Sequence, residues 1–131
     1  MKYQHKDFNS ELMETIRNTE NDLKDHIERL LKEYKSAFAK KNLDFDAGFD
    51  KVGENPFKPG YSSTVSIGIA DKNGELIDLH TIKIWECERS ILGMPTSKNI
   101  PGSNIIGELL DESLEEVKEE FKEYISSLMD E

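Results

Sequence analysis

The segment Tyr61–Glu86 constrains this chain most: two runs rich in β-branched residues flank Asp71-Lys72-Asn73-Gly74. Asp71 can accept a backbone hydrogen bond at the first turn position, and Gly74 supplies the positive φ needed at the fourth. That pattern predicts a type I turn closed by a glycine bulge, with Asp71 opposite Glu75. A two-residue turn at Asn73-Gly74 is the alternative. The bulged register places Val65, Ile67, Ile69, Ile77 and Leu79 on one face. The two-residue turn would set Ile69 against Asp78 and Ile67 against His80. A one-residue slip carries a whole apolar set to the other face, so the bulged register is the expectation. Ile82 and Ile84 fall on the second face, which requires cover there or a bulge that changes the phase.

Both flanks of the hairpin read as helical. From about Phe8 to Ala39 the apolar residues Phe8, Leu12, Ile16, Leu23, Ile27, Leu30, Tyr34 and Phe38 form one stripe at helical spacing. Asn9 or Ser10 can cap its start. About 28 such residues would run roughly 42 Å, so the helix either overhangs or packs on another helix or a second copy. The polar run Asn18–Asp22 leaves a kink as the alternative. At the other end, Ser113 and Glu116 make a capping box before Leu114, Val117, Phe121, Tyr124, Ile125 and Leu128. Leu43–Ala47 alternates like a short edge strand, and Gly48 to Gly60 reads as turns. Glu86–Ser90 is expected to leave the sheet, Met94–Asn104 to be a loop, and Ile105–Leu110 to be a short strand or a helix start. The fold class is α+β in a single domain, residues 1–131: a small antiparallel sheet on a central hairpin, packed against a long N-terminal and a C-terminal helix.

Charge narrows the function classes. The formal net charge is −10, and residues 108–131 carry ten acidic against two basic side chains. Residues 1–41 hold nine basic and eight acidic side chains. Nucleic-acid binding needs lysine and arginine to replace phosphate counterions, so it is not expected. No apolar run is long enough to cross a membrane and no secretory segment opens the chain. One cysteine excludes an internal disulfide, so a cytoplasmic home is expected.

Asp44, Asp46 and Asp50 spell D-x-D-x-G-x-D around Gly48. A helix–loop–helix calcium loop wants glycine at its sixth position and glutamate at its twelfth; this segment has Phe49 and Asn55 there. A polar strand face is the simpler reading and an acidic contact patch the next. His5, His26 and His80 lack metal-ligand spacing. His80 shares a strand face with Asp78, an acid–base pair with no nucleophile placed beside it. Cys87 lies between Glu86 and Glu88, which disfavours the thiolate. Trp85 and Tyr61 close the hairpin end as core lids or, if exposed, binding anchors. No metal, cofactor or catalytic residue is expected.

In size, acidity and mixed α/β build, the chain resembles the small acidic immunity proteins that bacteria make against toxins such as nucleases. The resemblance implies a non-catalytic module that binds a basic toxin through carboxylates and a few aromatics. The expected contacts are Glu115, Glu116, Glu119, Glu120 and Glu123, then Asp44, Asp46 and Asp50. Two alternatives remain: a small-ligand or enzymatic site near His80 and Trp85 under the loop Met94–Asn104, and a regulatory subunit that forms a homodimer through its long first helix.

Overall fold

A computed structural model describes residues 1–130 of the chain. The architecture is α+β: a six-stranded antiparallel sheet with a long N-terminal and a C-terminal helix. The strands are β1 (Lys2–Gln4), β2 (Leu43–Val52), β3 (Ser62–Asp71), β4 (Leu76–Ile91), β5 (Met94–Pro95) and β6 (Asn104–Leu109). The helices are α1 (Ser10–Ala39) and α2 (Leu114–Met129), with a 3₁₀ turn at His5–Asp7. The sheet order is β1-β6-β4-β3-β2, and β5 pairs with β4 alone.

The turn forms in the bulged register. Asp71 N–H donates to Glu75 O at 2.8 Å, Gly74 N–H donates to Asp71 O at 3.0 Å, and Gly74 has φ 85°. The Asp71 carboxylate also accepts from Asn73 N and Glu75 N. The expected apolar face does not continue from it. Val65, Ile67 and Ile69 are buried, but Ile77 and Leu79 remain 53% and 52% exposed. The cause lies in β4. If the turn register ran on unbroken, Cys87 would lie opposite Pro59. Instead Cys87 O accepts from Gly60 N and Cys87 N donates to Tyr61 O. β4 therefore contains extra residues relative to β3. One slip comes before Leu79, whose Cδ1 lies over Gly68 and not beside its expected partner Ile67, and a second shifts the buried positions from Ile82 and Ile84 to Trp85 and Cys87. Bulges of this kind re-aim side chains along a strand.

Other expectations shift as well. β4 does not leave the sheet after Glu86, because Trp85 through Ser90 pair with β6 from Leu109 back to Asn104. Of residues 105–110, all but Leu110 lie in the strand β6. β2 is an edge strand, but it runs ten residues and carries Gly48 within it. Phe8 precedes α1 rather than starting its stripe. Asn9 caps the helix, its Oδ1 accepting from Leu12 N at 2.8 Å. α1 continues unbroken through Asn18–Asp22. The Thr15 and Thr19 hydroxyls donate to carbonyls one turn back, which satisfies these weak helix formers inside the helix.

Packing groups the residues into two compact units. The first comprises Met1–Glu20, Asp50–Thr64 and Lys83–Asp111. Its centre is Trp85, fully buried, with Tyr3, Phe8 and Phe57 at ring-centroid distances of 6.1, 5.8 and 6.4 Å. Trp85 Nε1–H donates to Pro56 O at 2.7 Å. The indole lies across Gly107, where a Cβ would overlap its ring. The second unit comprises Asn21–Phe49, Val65–Ile82 and the chain from Glu112. Here Leu23, Ile27, Leu30 and Phe38 of α1, Phe45 of β2, and Val117, Phe121, Ile125 and Leu128 of α2 are all buried. Phe38 stacks on Phe45 with centroids 5.0 Å apart.

Candidate functional site

α2 presents the expected acidic face. Ser113 Oγ accepts from Glu116 N, and Glu116 Oε1 accepts from Ser113 N, both at 3.2 Å. This capping box fixes where the helix begins. With Val117, Phe121, Ile125 and Leu128 turned inward, Glu115, Glu116, Glu119 and Glu123 are left exposed. Among the described residues none of the four has a basic side chain within ion-pair distance. The Glu112 carboxyl, just before the helix, is pushed up by burial and then by the charges of Glu120 and Glu116. Like charges crowd this end of the second unit, with only Lys118 and Lys122 of α2 among them.

Glu120 differs from its neighbours. It is half-buried, and its Oε2 lies 3.2 Å from His80 Nε2. The His80 ring stacks on Tyr124 at 4.9 Å and meets the Phe121 edge at 5.9 Å. The buried Tyr124 hydroxyl has no partner in hydrogen-bond geometry among the described residues. Burial, followed by the nearby Asp78 carboxylate, pushes it up to about 12. Asp78 Oδ1 accepts from Leu79 N at 3.0 Å. Asp78, His80, Glu120 and Tyr124 thus make one polar cluster, fixed by packing on Phe121. The sequence showed only the Asp78/His80 half of it. The available signal was the one-turn spacing of Glu120 and Tyr124 at the edge of the α2 stripe. His80 is half-buried, so one side of the cluster meets solvent.

The aspartates of β2 divide. Phe45 faces α1, so strand alternation turns Asp44 and Asp46 to the opposite face. Asp44 pairs with Lys35 at 3.4 Å, and Asp46 Oδ1 accepts from Ala47 N. Asp50 is exposed and belongs to the first unit.

The first unit holds a second polar group. Tyr61 O–H donates to Glu20 Oε2 at 2.5 Å, and Glu20 is only 7% exposed. Burial first, then the bond to Glu20, raises the Tyr61 phenol above its ordinary range. Trp85 and Tyr61 are therefore core groups and not surface anchors. The buried Cys87 thiol is pushed up to about 11 by burial and by Glu88, so it stays protonated and unreactive near neutral pH. The segment after β4 folds back with Thr96 N–H donating to Arg89 O. An open cleft of about 440 Å³ runs there beside Gly60, Glu88, Arg89 and Thr96.

Among the described residues no group of three or more His, Cys, Asp or Glu side chains could hold a metal ion, and no helix is long and apolar enough to cross a membrane. No protein-family model, curated protein or solved structure matches the chain.

Proposed function

We propose that this chain is a protein-binding module that takes a basic partner, in the manner of the immunity proteins that neutralise cationic toxins. One observation carries the reading: Glu115, Glu116, Glu119 and Glu123 form an exposed row without cationic partners among the described residues. A row of like charges spaced one turn apart costs helix stability, so it calls for a use. A lysine- or arginine-rich surface supplies the missing counter-charge and accelerates encounter. Glu120 contributes less than sequence alone implies, because it is already engaged with His80.

The test begins with capture of partners from the native cell, followed by measurement of their association. The expected partner is basic and arrests growth when expressed alone, and co-expression of this chain relieves the arrest. Glu115→Lys, Glu119→Lys and Glu123→Lys together should slow association about tenfold or more, with the wild-type rate falling steeply as salt rises. A partner without excess basic charge, or an association rate indifferent to the triple reversal, would sink the reading.

A further inference from the structure

The second unit has an apolar surface that its own core does not use. Ile77 and Leu79 leave the turn on β4 with about half their surface exposed, next to an equally exposed Leu76. His80 packs against Phe121 and Tyr124, so Ile77 and Leu79 point to the other side of the sheet. Leu79 lies over Gly68 of β3, where an added Cβ would come within 3.0 Å of its Cδ1. Asp44 and Asp46 face the same side, Asp46 without a basic side chain in ion-pair distance among the described residues and Asp44 already paired with Lys35. β2 runs antiparallel to β3, so its first residues lie alongside the turn end of β3. Two strand spacings of about 4.8 Å separate β2 from β4 across this face.

We infer that Ile77 and Leu79, bordered by Asp44 and Asp46, form a docking surface for a protein segment in which apolar side chains alternate with lysine or arginine. The inference rests on the reading of a basic partner and locates its apolar anchor. Interfaces concentrate their energy in a few desolvated side chains inside a polar rim. Here two branched aliphatic residues form the centre and two carboxylates lie to one side. The same carboxylates, on a chain of net charge −10, disfavour a second copy of this chain and anionic lipid headgroups as occupants.

A short peptide of alternating lysine and leucine is the probe, titrated into the isotope-labelled full chain and followed by NMR. Two controls replace its lysines with glutamate or its leucines with serine. The expected result is saturable shifts at the Ile77 and Leu79 methyls and at the Asp44 and Asp46 amides with the lysine–leucine peptide alone. Ile77→Ser with Leu79→Ser should weaken binding at least about tenfold. Asp44→Asn with Asp46→Asn should weaken it less and flatten its salt dependence. Both pairs are exposed, and unchanged melting would show that the variants are folded. Shifts confined to α2 would overturn this surface and leave the basic-partner reading intact. Silence toward both cationic peptides would overturn both, and an equal response to the glutamate peptide would overturn the charge argument. A dimer in sedimentation equilibrium that Ile77→Ser abolishes would assign the face to a second copy and overturn the proposal.

Discussion

Glu20 is a carboxylate taken out of water on the inner side of a helix, and Tyr61 supplies the hydroxyl that makes this tolerable. Tyr61→Phe removes that donor and leaves a buried oxygen unsatisfied, at a cost of about 1–3 kcal/mol. Urea unfolding should show this loss, and Tyr61→Phe with Glu20→Leu should recover much of it, since both polar ends are then gone. A result in which the double variant is worse than the single one would deny the pairing. The phenols of Tyr61 and Tyr124 are both raised in the folded chain, chiefly by burial. Above pH 10.0 the unfolded chain releases these protons first, so stability present below that pH is lost as pH rises. Alkaline melting curves should steepen over this window in the wild type and flatten in Tyr61→Phe. His26 carries the opposite sign. Its pKa is lowered by burial, then by Lys118 and Arg29, and its Nε2 is buried without a partner among the described residues. The unfolded chain takes up a proton first below pH 6.5, so stability falls as pH falls through that value. His26→Leu should reduce the acid slope of the melting temperature; an unchanged slope would remove His26 as its source.

At the level of elements, local chemistry and long-range pairing were legible to different degrees. The α2 capping box and the Asp71–Gly74 turn are written within a few residues, and both form as expected. Ser113→Ala should cost about 1 kcal/mol in urea unfolding. Gly74→Ala should cost a similar amount by forcing a Cβ into positive φ. β1 and β6 were harder to read because neither has an apolar pattern of its own. They exist through each other, with Tyr3 opposite Gly107, and through Trp85, which lies across that glycine. Gly107→Ala would drive a methyl into the indole and should destabilise by about 1–3 kcal/mol or more. The phase change along β4 belongs to the same class. Alternation predicts faces only while a strand is regular, and the extra residues between Glu75 and Cys87 are set by pairing with a distant segment. The candidate site divides in the same way. The glutamate row follows from helical spacing alone, whereas the engagement of Glu120 with His80 is a contact across 40 residues.

The whole molecule carries an imbalance that folding does not require. Ten of its acidic side chains lie in residues 108–131 with only two lysines among them. In α2, Glu115 and Glu119, and Glu119 and Glu123, stand one turn apart as like charges, each pair costing about 0.2–0.5 kcal/mol. A surface kept for solubility alone would tolerate alternating signs as well as a single sign. A surface kept for a cationic partner would not, and this separates the two readings by experiment. Glu119→Gln with Glu123→Gln removes both like-charge pairs by changes beyond the first helical turn, where the helix dipole no longer rewards an acid. If the row serves recognition, the double variant should gain about 0.5 kcal/mol in urea unfolding while losing association with its basic partner. Added salt should narrow the stability gap between variant and wild type, because it screens the self-repulsion that the substitutions remove. A double variant less stable than the wild type would mean that these carboxylates support the fold, and the functional reading of the row would lose its basis.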